Sequence, residues 1–139
     1  MSQRMYFGHP VNVYDTELER FLLRKICEEF PDWAIENPNQ KHHAEGYQHY
    51  KEIGRGMNYY FEEVLPYCDG GIFLPFRDGA WGAGVYGEAR ALSAQGCGIW
   101  QIDADGVISH ASLLTHAHVL SVEETRARIR DAAGQPIPY

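Results

Sequence analysis

The chain has 139 residues, of which 45% are hydrophobic and 22% charged, and its net charge is −7. This composition predicts one soluble globular domain over residues 1–139 and excludes a disordered chain. The acidic balance argues against binding to a nucleic-acid polymer, which depends on clustered Lys and Arg, and no apolar run approaches the ~20 residues that cross a bilayer. The odd count of cysteines, without metal-type spacing, predicts a reducing, cytoplasmic location. They are Cys27, Cys68 and Cys97.

Strand-like and helix-like segments alternate along the chain. Strands are predicted at 5–8, 33–35, 72–76 and 97–102, with a short return strand at 107–109 after the Asp105-Gly106 turn. Helices are predicted from a cap at Asp15 or Thr16 to about residue 30, at 57–67, at 85–95, and from a capping box at Ser121 to about residue 132. The polar segment 40–56 is predicted as a loop with some helix.

This alternation predicts an α/β fold, a doubly wound, flavodoxin- or Rossmann-like and mostly parallel sheet of four to five strands with helices on both faces. Ligands of such sheets bind at the carboxyl ends of the strands, where the strand order reverses. With a strand order of 2-1-3-4, the crevice lies between strands one and three. It is then lined by residues 6–10 on one side and 77–88 on the other.

A glycine-rich segment follows the third predicted strand and reads FRDGAWGAGVYGEARAL over residues 76–92. Glycines between a strand and a helix let a ligand approach the backbone. Glu88 is expected in the first turn of the following helix, where the positive end of the helix dipole favours the ionised carboxylate. An ionised carboxylate beside a cleft has the chemistry of a nucleophile or a general base.

Two other motifs have weaker interpretations. The sequence from Gly82 to Gly87 matches G-x-G-x-x-G, and Asp103 ends the next strand, as in dinucleotide-dependent oxidoreductases. However, five residues separate Phe76 from Gly82, and the motif opens the third strand–helix unit instead of the first. No carboxylate or cysteine completes a metal-ligand pattern around the clustered histidines, so no metal site is predicted. Those histidines are His42, His43 and His49.

Four short motifs occur in order along the chain. The first is the strand Tyr6-Phe7-Gly8-His9-Pro10, and the second is the pair Cys68-Asp69 before the third strand. The third is Asp78-Gly79, and the fourth is the segment 82–91, with its glycines and Glu88. In their order, and in the spacing from Gly84 to Glu88, these motifs resemble the nucleoside 2-deoxyribosyltransferase superfamily, which includes deoxynucleotide N-glycosidases. The resemblance covers residues 5–102.

The resemblance implies a set of roles. Glu88 is the nucleophile that forms a covalent glycosyl-enzyme, Tyr6 orients it, and Asp78 contacts or protonates the leaving base. It also implies a homodimer or larger homo-oligomer, a small-molecule nucleoside or nucleotide as substrate, and no cofactor. The expected substrate-binding residues are Gly8, His9, Pro10, Asn37, Trp81, Gly82 and Gly84.

Alternatives stay open for several of these residues. The family has Asp-Ser where this chain has Gly82-Ala83, which favours, as an alternative, a non-catalytic nucleotide-binding module of the same fold. Trp81 either stacks on a base or covers the core. His9 is either a ligand contact or a packed histidine, and Asp78 is either a catalytic group or a turn residue.

Overall fold

A computed structural model describes residues 3–111 and 118–139 of the chain. One five-stranded sheet forms its centre, in the order β2-β1-β3-β4-β5. The first four strands in this order run parallel, and β5 pairs antiparallel with β4 through a hairpin. The strands are β1 (Gln3–Gly8), β2 (Trp33–Glu36), β3 (Gly70–Phe73), β4 (Gly98–Ile102) and β5 (Ile108–His110).

In the described residues, four helices lie between the parallel strands and a fifth follows β5. They are α1 (Glu17–Glu29), α2 (Lys41–Glu52), α3 (Tyr59–Glu63), α4 (Ala83–Ala94) and α5 (Val122–Ile129), with short 3-10 turns at Val11–Val13, Gly56–Asn58 and Leu65–Tyr67. The Thr16 side chain caps α1, and Ser121 with Glu124 forms a capping box at α5. None of the described helices combines the length and the apolar character needed to cross a membrane.

Side chains alternate between two apolar clusters along the strands, as a strand's period of two requires. Met5 and Phe7 pack with the α1 residues Leu22 and Ile26. Tyr6 belongs instead to the cluster that contains the α4 residues. Helices therefore cover the sheet through two separate cores, and the site described below lies in the core beneath α4. The α4 members of that core are Val85, Ala89 and Leu92.

The structure confirms the α/β class and the predicted strand order of 2-1-3-4. Segment 40–56 was predicted as a loop with some helix, but it is mostly helical, because α2 occupies most of it. The only buried residue of α2 is His43, so the sequence of this helix lacks the apolar periodicity that predicts a helix. The single helix predicted at 57–67 is also wrong. Pro66 lacks an N–H and disfavours the helical conformation of Leu65, which breaks the segment into α3 and 3-10 turns.

Two glycines from the predicted binding segments give a matched test of the packing. A Cβ at Gly8 would lie 2.5 Å from the ring of Phe73, which is fully buried, whereas a Cβ at Gly84 would meet open space. We expect Gly8→Ala to destabilise the protein by about 1–3 kcal/mol through overpacking. Gly84→Ala should stabilise it by up to about 1 kcal/mol, because alanine favours a helix. Urea unfolding measures both; equal effects of the two variants would contradict the packing described here.

Candidate active site

A hydrogen bond between Tyr6 and Glu88 joins β1 to α4. The Tyr6 hydroxyl donates to Glu88 Oε2 over 2.5 Å, across 82 residues of sequence. Tyr6 is 1% exposed, and Glu88 is partly buried. The structure thus brings together the two residues that the sequence resemblance assigned to one site.

Burial dominates the electrostatics of this pair. Desolvation raises the pKa of Glu88 from 4.5 to about 8, although the hydrogen bond from Tyr6 acts in the opposite direction. Burial and the neighbouring Glu88 raise the pKa of Tyr6 well above its ordinary value, so its hydroxyl keeps its proton and donates. Glu88 is therefore mainly protonated at neutral pH.

The expectation that Glu88 lies in the first helical turn is wrong. Gly82 is the N-cap and α4 begins at Ala83, so the sixth helical residue is Glu88. The helix dipole acts mainly within the first turn. Its stabilisation of the ionised form is consequently weak here, and desolvation sets the protonation state.

Two further tyrosines, which the sequence analysis did not single out, surround Glu88. Burial, together with the nearby Glu88, raises the pKa of both Tyr14 and Tyr60. The Tyr60 ring packs edge-on against Tyr6, with centroids 6.5 Å apart. No sequence pattern marks either tyrosine, because each reaches Glu88 from a separate connecting segment.

The second oxygen of Glu88 has no hydrogen bond in the described part of the chain. Tyr6 binds Oε2, and Oε1 has no hydrogen-bond partner among the described residues. The same is true of the Tyr14 and Tyr60 hydroxyls. A carboxyl oxygen and two hydroxyls are thus the groups around this pair without a partner in the described residues.

His9 is a buried, fully partnered histidine. Its Nε2 lies 2.8 Å from Glu19 Oε2, and its Nδ1 lies 3.0 Å from the Phe7 carbonyl. Both nitrogens face acceptors, so both bonds form together when the ring carries two protons or Glu19 carries one. Burial raises the pKa of Glu19, but hydrogen bonds from His9 and Asn39 outweigh it, and the net pKa is lowered. The His9 ring also packs against the ring of Tyr14, with centroids 4.9 Å apart, and so helps to position this tyrosine of the site.

Asp78 is held by a cation outside the Tyr6–Glu88 pair. Both its oxygens accept hydrogen bonds from the Arg128 guanidinium of α5, each over 2.8 Å, and Oδ1 also accepts from the Ala80 amide. The Arg128 hydrogen bonds, helped by that amide, lower the pKa of Asp78 to about 2. The arrangement makes Asp78 a constitutive anion that ties α5 to the loop after β3.

The glycine segment is partly covered by α5. The Ala83 amide at the start of α4 donates to the Thr125 hydroxyl over 3.0 Å, and a Cβ at Gly82 would lie 3.3 Å from Thr125 Cγ2. A phosphate at this helix start, as in dinucleotide-binding proteins, would need that amide. Gly84, the next residue, is exposed, and a Cβ there would meet open space.

The remaining predicted residues have structural partners. Trp81 is 4% exposed and packs against Phe73, with centroids 6.1 Å apart. Asn37 accepts a hydrogen bond from the Asn39 amide in a tight turn. Pro10 starts the 3-10 turn that leads to Tyr14.

Two cavities lie away from the Tyr6–Glu88 pair. One, of about 260 Å³, lies beside Pro75, Gln101 and Tyr139, and the other, of about 460 Å³, lies along α2.

Comparisons of this chain with known protein families, with curated proteins and with solved structures found no match. The resemblance to the deoxyribosyltransferase superfamily therefore stays a prediction from the motifs of this sequence.

Glu88→Gln tests the buried acid through stability. Between pH 4.5 and about 8 the unfolded chain loses the Glu88 proton while the folded chain keeps it, so wild-type stability falls as the pH rises. Glutamine removes this loss. A pKa shift of one unit corresponds to about 1.4 kcal/mol of stability. Because Glu88 keeps some solvent contact, we expect the free energy of unfolding of Glu88→Gln to exceed that of the wild-type protein by on the order of 2–4 kcal/mol at high pH, and to equal it near pH 4.5.

Urea unfolding at several pH values measures this difference. The exposed Glu45→Gln, which removes a carboxylate on α2, is the matched control and should show no such trend. A Glu88→Gln effect that is constant with pH would contradict the raised pKa.

Glu19→Ala tests the support behind the site. The side chains of His9 and Glu19 are 0% and 7% exposed, and removing one partner of a buried pair costs about 3–5 kcal/mol. Because the pKa of Glu19 is lowered in the folded protein, the stability that its ionised form provides is fully present above pH 4.5. That stability is lost as the pH falls through the lowered pKa. The penalty should therefore shrink in acid, whereas the exposed Glu29→Ala should stay within about 0.5 kcal/mol. A penalty as small as that of Glu29→Ala at pH 7 would refute this support role.

Proposed function

We propose that this chain cleaves or transfers the N-glycosidic bond of a nucleoside or nucleotide, with Glu88 as the nucleophile. The observation that carries the proposal is the hydrogen bond from Tyr6 to Glu88. A tyrosine from the first strand orients a glutamate from the helix after the third strand, as the sequence resemblance implies. Oε1, which has no hydrogen-bond partner among the described residues, supplies the attacking atom.

The chemistry proceeds in two displacements. Ionised Glu88 attacks the anomeric carbon through Oε1, while Oε2 keeps its hydrogen bond from Tyr6. The bond from that carbon to the base nitrogen breaks, and the base leaves with the bonding electrons and takes up a proton. Water or a second base then attacks the same carbon, loses a proton and releases the Glu88 carboxylate. No cofactor takes part in these steps.

The wider proposal follows the same family resemblance. The sheet with its two apolar cores is taken as a doubly wound, flavodoxin-like fold, and the chain as a cytoplasmic homodimer or larger homo-oligomer. Asp78 has no assigned step, because Arg128 already binds both of its oxygens. Tyr14 and Tyr60 replace it as the polar groups beside the leaving base.

A second candidate is a nucleotide-binding module without catalysis. One observation favours it: Glu88 is mainly protonated at neutral pH, which leaves little of the ionised form that attack on a sugar requires. Ligand binding that survives Glu88→Ala without turnover would identify this case.

The direct test is base release from a panel of ribo- and deoxyribonucleosides and their monophosphates. We expect at least one member to release free base, and Glu88→Gln to lower kcat by about 10³-fold or more, because the nucleophile is lost. Glu45→Gln is the control for a lost surface carboxylate. An inactive wild-type protein across the panel, or full activity in Glu88→Gln, would refute the enzyme.

The pH profile separates a nucleophile from a general acid. Only ionised Glu88 attacks, so kcat/KM should rise with pH through an apparent pKa of about 8. Tyr6→Phe removes the hydrogen bond that lowers this pKa, so the midpoint should move up and kcat/KM at pH 7 should fall about 10- to 100-fold. A profile that falls through pH 8 would instead mark Glu88 as a proton donor.

A further inference from the structure

A second cluster of chemically active side chains lies where β2 ends and α2 begins. One potential ligand atom from each of Glu36, His42 and His43 lies within 4.8 Å of the other two. Glu36 is the last residue of β2, and the two histidines occupy the first turn of α2. Histidine spacing in the sequence did not reveal this group, because the carboxylate comes from the preceding strand.

His43 has an unused ligand atom at the centre of this cluster. The residue is 3% exposed, and its Nε2 is sealed from solvent without a hydrogen bond. Nε2 lies 3.3 Å from Glu36 Oε1, yet the two do not form an aligned hydrogen bond. A buried nitrogen without a partner is costly, and one aimed at a carboxylate is suited to coordinate a cation.

The other nitrogen of His43 is held in the way that metal-binding histidines usually are. Nδ1 lies 2.8 Å from the hydroxyl of Tyr59, which is 7% exposed. With the proton on Nδ1, the ring donates to that hydroxyl and Nε2 presents its lone pair. The packing fixes Tyr59 in turn, because a Cβ at Gly46 would overlap the tyrosine ring.

The local charges favour the neutral imidazole that a metal needs. Burial and the neighbouring His42 lower the pKa of His43, although the Glu36 carboxylate acts in the opposite direction. The Arg4 guanidinium also lies 3.4 Å from Glu36, but its side chain is 48% exposed and can withdraw into solvent. The thiol of Cys68 does not belong to the group of ligand atoms that lie within 4.8 Å of one another, so Cys68 is outside the ligand set.

We propose that Glu36, His42 and His43 form a binding site for a divalent transition-metal ion of the Zn²⁺ type. Two imidazoles and one carboxylate suit Zn²⁺, Co²⁺ or Ni²⁺ better than Mg²⁺ or Ca²⁺, which prefer oxygen ligands. Three protein ligands leave a coordination position for water or a small anion. The His43 ring lies 6.0 Å from that of Tyr60, so the site borders the one around Glu88 without sharing a residue with it.

The test uses the whole chain, freed of metal by a chelator and titrated with Co²⁺, followed by competition with Zn²⁺. We expect one ion per chain and a d–d absorption of tetrahedral type without a thiolate charge-transfer band. His42→Ala and Glu36→Gln, which alter less buried positions than His43, should each weaken binding at least about 10-fold. His49→Ala removes an exposed histidine from the same helix and should leave the Kd unchanged.

A second readout does not depend on the metal spectrum. Saturating Zn²⁺ should raise the Tm of the wild-type protein and of His49→Ala, but not that of His42→Ala. Stoichiometric binding that survives His42→Ala and Glu36→Gln, equal weakening by His49→Ala, a thiolate band, or no saturable binding would each overturn the site. None of these results depends on whether the chain cleaves nucleosides.

Discussion

The hydrogen bond between Tyr6 and Glu88 is the constraint on which the rest of this site depends. It fixes a carboxyl group between the sheet and α4, where desolvation raises its pKa to about 8. The groups that adjoin it in the described residues are neutral tyrosines, and the nearest fixed charges belong to other pairs. A group in this position keeps a proton at neutral pH and, once it loses that proton, is a stronger base than an ordinary carboxylate.

The charged pairs around the site position loops and helices. The contact between His9 and Glu19 joins the segment after β1 to α1. His9 also packs against Tyr14 and so holds this tyrosine beside the Glu88 carboxyl group. Asp78 with Arg128 fastens the loop after β3 to α5, whose Thr125 covers the start of α4. The polar residues at the carboxyl edge of the sheet thus include one buried acid, Glu88, and two ion pairs that position the segments around it.

Local patterns were sufficient for much of the fold. The alternation of strands and helices predicted the α/β class, and the starts of α1 and α5 followed from their caps. The contact between Tyr6 and Glu88 was implied by the family resemblance. Local patterns did not show two partnerships between side chains: Arg128 binds Asp78 across 50 residues, and Glu36 lies beside the histidines of a helix that has almost no apolar face. The state of Glu88 was mispredicted because burial, which sequence does not show, outweighs the dipole.

The most direct measurement is a ¹³C NMR titration of the Glu88 side-chain carboxyl carbon, assigned by its loss in Glu88→Gln. The account predicts a midpoint near pH 8, moving higher in Tyr6→Phe because the hydrogen bond that favours the anion is gone. A midpoint near 4.5, unaffected by Tyr6→Phe, would show a solvated carboxylate without this partner and would contradict the account.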